Sequence, residues 1–436
     1  MPSRVAITGL GVVTPAGIGV EAFWRTLLDG RSVIGPVKSF DAGNFPCRIA
    51  GELGDFSARD YVPKSYRKSV KVMARDIEIA VAAADLAFRD SGIVTRGIDT
   101  EHTNIDPKRL GCNIGAGLIC ADLNELGTAV NTAVTDGKFD IRKWGQSGMN
   151  NLTPLWLLKY LPNMLACHVT IIHGAEGPSN TITCCDASGH LAVGEAALQI
   201  ASGRADAIIA GGAESKPNPL GLLRQGLLNR LCTCRNDSPA EACRPFDAAH
   251  NGTVLSEGGG LLILENLDRA VRRGAKIYAE VVGFAAACDP AAVNLTEPNV
   301  GALDLAVTKA IARARLKPDD IDLVVAHGTG VPAEDRLEQQ AWRTAMGGAL
   351  ADAAALAVTG CVGSLFAGAG GVELSAAAMA IHTQTVPPTV NFSAGRNGCS
   401  LQLLDRATEK DIRYAVTGAF SIGGQSAVAV LKRYEA

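Results

Sequence analysis

The chain has 436 residues, 47% hydrophobic and 19% charged, with a formal net charge of −3. That is enough for one large core or two fused halves, and it lacks the basic footprint of a nucleic-acid or lipid-surface binder. No apolar run approaches the roughly 18–20 residues of a membrane span, and the opening MPSRVAITGLGVVTP reads as strand and turn, so a cytoplasmic protein with no membrane or nucleic-acid partner is expected.

In chain order, RVAITGLGVV predicts a first strand, Arg75–Asp90 a helix and RLGCNIGAG a second strand. Between Ala121 and Lys159 the pattern loses its regularity and reads as an insertion. Its bulky apolar residues Trp144, Met149 and Leu152 need somewhere to pack, which suggests a pocket or an interface. TITCCDASGHLAVGEAALQIASG follows, a strand, a tight turn and a helix; Cys184, Cys185 and Asp186 stand at the turn. ADAIIAGGAES predicts the next strand. The cysteines of CTCRNDSPAEAC (Cys232, Cys234, Cys243) have no second pair at zinc spacing, so no metal is expected, and the chain's cysteines read as reduced thiols. GGLLILENL is a further strand. LDRAVRR, residues 267–273, marks a boundary between halves 1–268 and 269–436.

The second half predicts a helix over Val300–Arg315 and strands at IDLVVAHGT, ALAVTG and YAVTGAFSIGG. LAVTGCVGSLFAGAGGVELSAAAMAI echoes the strand–turn–helix of the first half, and in each half a glycine-ended strand follows. Alternating strands and helices predict an α/β layout with strands covered on both faces. Two similar halves suggest a pseudo-twofold with chemistry at the seam. The glycine clusters match neither a Walker loop nor a dinucleotide fingerprint.

Long motifs carry a resemblance. RVAITGLGVVTPAG, LPNMLACHVTIIHGAEGPSNTIT, CRPFDAAHNGTVLSEGGGLLILENLDRAVRRGAKIYAEVVGF, VVAHGTGVPAEDRLEQQA and VPPTVNF together resemble the β-ketoacyl synthases of the thiolase fold, closest to the elongating kind that works on carrier-protein thioesters. The resemblance implies two similar βαβ-type halves in α-β-α-β-α layers. It implies no bound cofactor, since phosphopantetheine arrives on the acyl carrier protein. With Gly177-Pro178-Ser179 before the turn and Ser188-Gly189 and Gly194 after it, the family's nucleophilic cysteine position falls on Asp186. Its first catalytic histidine matches His327. Its second falls on Ser364 and its lysine on Thr359, so both are lost. Of the two pantetheine-binding threonines, Thr329 survives and the other becomes Val331; the gating phenylalanine becomes Ile422.

Condensation needs an easily expelled thiolate, activated at a helix N-terminus. A carboxylate there would form a mixed anhydride, uphill from a thioester. The enolate step needs two oxyanion donors, and losing one costs about 3–4 kcal/mol of barrier. Asp186 is also a favoured helix N-cap type, and His327 also reads as a retained, hydrogen-bonded core histidine. His168, His173 and His190 read as packing residues near the site, Glu257 and Asp335 as scaffold acids that orient turns. A scaffold without its nucleophile resembles the chain-length factor, or ketosynthase-β subunit, of type II polyketide systems. Such a subunit forms a heterodimer with an active ketosynthase and shapes the polyketide tunnel. One departure is Asp186, because the best-known members carry glutamine there. The rival readings are a malonyl-carrier-protein decarboxylase supplying starter units, against which Ser364 argues, and an active homodimeric synthase using Cys185.

Overall fold

A computed structural model describes residues 3–292, 294, 297–393 and 399–435. Strand β1 (Val5–Thr14) is buried along its whole length, as expected of a run of VAITGLGVVT covered on both faces. It is followed by β2 (Leu110–Gly115), β3 (Ser179–Ile182), β4 (Ala207–Ser215) and β5 (Glu257–Asn266). The second half contributes β6 (Ala279–Cys288), β7 (Leu323–Val325), β8 (Ala354–Leu356), β9 (Gln402–Leu403), β10 (Tyr414–Phe420) and β11 (Gln425–Lys432). The strands join in the order β9-β8-β7-β10-β11-β6-β1-β5-β4-β2-β3.

The halves meet where β1 pairs antiparallel with β6, Val5 opposite Val281. Outward from this seam each half repeats one sequence of pairings. β1–β5 and β5–β4 are antiparallel, then β4–β2 and β2–β3 parallel. Likewise β6–β11 and β11–β10 are antiparallel, then β10–β7 and β7–β8 parallel.

Helices α1 (Arg75–Ser91) and α4 (Leu303–Arg313) cover the outer faces, α1 against β1 and β5, α4 against β6 and β11. Also on the periphery are α2 (Met164–His173) and α5 (Pro332–Met346). Between the sheet's two halves lie α3 (Ser188–Ala201) and α6 (Ala369–Thr383), packed on each other and on strands of both halves. Every residue of α6 from Ala369 to Ile381 is buried. Such close layers require small residues: a Cβ at Gly371 would run into the Gly260 carbonyl oxygen of β5.

The segment expected to be irregular is folded in short pieces. It holds a helix at Leu123–Thr132, a two-stranded ribbon (Val134–Thr135 with Lys138–Phe139) and helices at Ile141–Gln146 and Trp156–Tyr160. Asp122 and Asp140 cap two of these helices through their carboxylates. Several of its apolar side chains are exposed, among them Phe139, Ile141, Met149, Leu155 and Leu157. The charged 267–273 segment contains a short helix, Leu267–Arg272, between β5 and β6. Cys232 and Cys243 pack in an apolar cluster with Ile49 and Val254.

Candidate functional site

The turn between β3 and α3 is held in an unusual conformation. Cys185 has φ +50°, a region L-residues avoid. Ser188 secures it: its hydroxyl accepts from the Cys184 N–H at 2.7 Å and donates to the Cys185 carbonyl at 2.6 Å. Phe366, ahead of α6, has φ +49°, so the second half repeats the same turn at the matching place.

Asp186 follows Cys185 and is 1% exposed. It is not the N-cap of α3: that position is Ala187, with no side-chain cap. The carboxylate instead turns toward the second half, where Oδ1 lies 3.4 Å from His327 Nε2. His327 Nδ1 lies 2.7 Å from Glu373 Oε1. Its backbone N–H and that of Gly328 donate to the two oxygens of Glu338, each at 2.8 Å, and its carbonyl accepts from Thr359 Oγ1 at 2.7 Å. The Phe420 ring stands edge-on at 5.2 Å between centroids. The loop after β7 thus presents His327 between two buried carboxylates, one from each central turn-and-helix unit.

The electrostatics follow from that clamp. Burial disfavours the imidazolium, but Glu373 and Asp186 outweigh it and hold His327 well above the ordinary histidine value. Burial likewise opposes ionisation of Asp186, yet the adjacent His327 imidazolium, helped by the charge of Arg230, keeps its carboxyl below the usual range. Arg230 is itself fixed by a two-pronged contact with Glu334, 2.9 Å on each side. His190 approaches Glu373 at 3.8 Å and bonds Thr417 at 3.1 Å; burial, then the charge of His327, push it down to about 3.

Cys185 Sγ points at Asp186 Oδ2, 3.1 Å away. Burial first, then Asp186 and Glu214, push this thiol well above its ordinary value. That is the opposite of an activated thiolate.

The remaining residues singled out from the sequence are spread around this centre. Ser364 is pinned by its backbone, its N–H donating to Val254 at 2.8 Å and its carbonyl accepting from Ser256 at 3.0 Å. Thr329 turns its hydroxyl into its own loop, accepting from the Val331 N–H at 3.2 Å. Ile422 is half-buried in the turn between β10 and β11. Trp144 packs on Phe139, ring centroids 5.9 Å apart; Met149 is 53% exposed and Leu152 half-buried. A cavity of about 790 Å³ opens beside this segment. Its walls include Ala121–Asn124, Lys159 and Tyr160, the two ends of the segment, but neither Trp144, Met149 and Leu152 nor Asp186 and His327. His168 and His173 are removed from the centre: His168 meets Tyr66, and His173 meets Thr95 and Phe88. Glu257 accepts from Leu53 N–H, Ser215 and Arg75, while Asp335 accepts from Phe246 and Gly330 N–H groups.

Sequence reading passed over Glu373, Glu338 and Arg230. A signal existed for Glu373, the one acid in the otherwise small and apolar AGGVELSAAAMAI. A lone charge on an all-buried helix needs a buried partner. Glu338 carried no such signal within the charged PAEDRLEQQ.

Residues 2–270 match the beta-ketoacyl synthase N-terminal domain and residues 278–393 the C-terminal domain. A 3-oxoacyl-[acyl-carrier-protein] synthase 2 of Synechocystis is 34% identical over 437 residues, covering 99% of this chain and 98% of the relative. One from Vibrio harveyi is 34% identical over 434 residues, with the same coverages. Among solved structures, the ishigamide ketosynthase/chain length factor superimposes with a TM-score of 0.84 at 26% identity, covering 100% of both chains. A beta-ketoacyl synthase from Burkholderia phymatum STM815 gives 0.84 at 26% identity, covering 99% of this chain and 100% of that one.

Proposed function

The chain belongs to the β-ketoacyl synthase family and has its thiolase-like α/β fold, and from that premise we propose that it is a non-condensing subunit of the chain-length-factor type. The observation that carries this is the buried line Asp186–His327–Glu373. Acyl transfer to the elbow needs a thiolate, and residue 186 is a carboxylate. The Nε2 of His327, the nitrogen left to face an acyl oxygen, instead faces Asp186 Oδ1 3.4 Å away. Ser364 supplies no second imidazole and Thr359 no ammonium.

The rest of the reading is what such a subunit needs. It pairs with an active ketosynthase, to which it offers the open edge of β3 and the exposed apolar side chains of residues 121–159. Trp144, Met149 and Leu152 then pack against the partner and help close its acyl tunnel. An acyl carrier protein brings the chain on phosphopantetheine, with Thr329 and Ile422 at the entrance. The ishigamide relative, named as a ketosynthase/chain length factor, supports this pairing.

Co-expression with an intact ketosynthase and an acyl carrier protein, followed by mass analysis of acyl groups on each chain, tests the reading. Acyl groups are expected on the partner alone. Alanine at Trp144, Met149 or Leu152 is expected to shift product length, and unchanged products with assembly intact would remove that part. Carbon–carbon bond formation by the isolated chain would overturn the whole.

A second reading is favoured by the curated relatives, which are named as 3-oxoacyl-carrier-protein synthases at 34% identity across the chain. On that reading the protein condenses as a homodimer through Cys185, the thiol adjoining Asp186. Condensation by the chain alone, abolished by Cys185→Ala, would establish it.

A further inference from the structure

The buried pair Glu214–Lys216, at the end of β4, takes no part in the chemistry above. The two residues are 2% and 8% exposed. Lys216 Nζ contacts the Glu214 carboxylate and donates to the Leu118 carbonyl at 2.8 Å. Glu214 Oε2 accepts from the Ala367 N–H at 2.8 Å, and a Cβ at Gly117 would run into the same carboxylate. Lys216 Nζ also stands 5.8 Å from the centre of the Phe366 ring, which packs in one apolar cluster with Cys185. The pair therefore abuts the elbow turn and its twin from the second half.

On its other side the pair lies one layer behind the wall of the 790 Å³ cavity: neither residue lines it, but Ser215 and Pro217, flanking Lys216, do, as do Asp76 and Cys120, which act electrostatically on Lys216. Cys185, Asp186 and His327 do not line it. An ion pair is an unusual choice for such a place, since apolar residues of similar size fill a core at no desolvation cost. A paired charge differs from them in one respect: an alkyl chain cannot pass without parting it and leaving each charge buried and alone.

We propose that Glu214 and Lys216 form a partition that shuts the elbow off from the cavity, making Lys216 the residue that keeps a long alkyl chain in the cavity from reaching the elbow at residue 186. The inference deepens the proposed function and takes its meaning from it: an acyl chain lodged in the cavity would have to be anchored on another subunit's nucleophile.

The test uses the full-length chain carrying Cys185→Ala and Asp186→Cys, which places one reporter thiol at the elbow. Methyl and octyl methanethiosulfonates are the probes; the thiolate displaces methanesulfinate and forms a mixed disulfide, read at residue 186 by peptide mass. With the pair intact, octyl labelling is expected to be slower than methyl by about tenfold or more, the scale of one steric clash. Adding Glu214→Ala and Lys216→Ala is expected to bring the two rates together. Glu214→Gln with Lys216→Ser, which keeps polar groups in place, serves if the alanine pair does not fold and should shift the ratio in the same direction. Equal rates with the pair intact, a ratio unmoved in a folded opened variant, or no methyl labelling at all would each overturn the proposal. The ratio is read without a partner and without condensation, so loss of the subunit reading would leave it unchanged.

Discussion

Asp186 does two things that a cysteine there could not. It supplies the second carboxylate of the His327 clamp, and it raises the neighbouring Cys185 thiol. Replacing it by Cys should therefore not produce a condensing enzyme. On the proposed reading, the second oxyanion donor lacking at Ser364 would alone cost about 3–4 kcal/mol, roughly a hundred- to thousandfold in rate. Turnover of acyl- and malonyl-carrier protein by the lone Asp186→Cys variant, within about tenfold of an intact ketosynthase, would refute that account. The native thiol offers a simpler check. Cys185 should react with iodoacetamide at pH 8 far more slowly than the exposed Cys234 and Cys288, and Asp186→Asn should speed it. Equal labelling would mean that the thiol is not held neutral. Asp76, on the cavity wall, gives a pH test. Burial raises it to about 7, against the lowering charge of Lys216. A carboxyl raised on folding stabilises below its unfolded value, near ~4, and that stability is lost as pH climbs through about 7. Asp76→Asn should gain on the wild type in urea unfolding between pH 4 and 7; a constant difference would contradict the assignment.

Pairs of elements explain why these side chains meet. The turns before α3 and α6 each place a residue at positive φ, Cys185 and Phe366, and each turn-and-helix unit sends a carboxylate, Asp186 from the first turn and Glu373 from α6, to the same imidazole. The strand–turn–helix echo in the sequence showed that the two units match. It did not show that they face each other across His327, because that depends on α3 and α6 lying side by side. Gly371 sets their depth against β5. Gly371→Ala should destabilise the fold by about 1–3 kcal/mol through overpacking, read from urea midpoints, and an unchanged midpoint would show that the layers have slack. Residues 121–159 were legible only as a departure from pattern. Their helices and ribbon are too short to establish a period, and the caps at Asp122 and Asp140 are single residues.

On the scale of the molecule, β3 ends the sheet with an open edge, and apolar side chains of residues 121–159 remain exposed. Light scattering should find the protein associated, and together with an active ketosynthase it should form a mixed dimer. A stable monomer indifferent to that partner would count against the proposed role. The α/β class and the repeat were decided by the sequence itself, because strand and helix patterns are local, and the resemblance implied family positions at residues 186, 359 and 364. The identity of Asp186 could be read there, but not its conduct: a favoured cap residue by type, it leaves the helix uncapped and turns to His327. Only the tertiary structure could decide that. The energy of a buried charge depends on which opposite charges the fold brings near it, and for Asp186 those come from His327 and Arg230, far away along the chain.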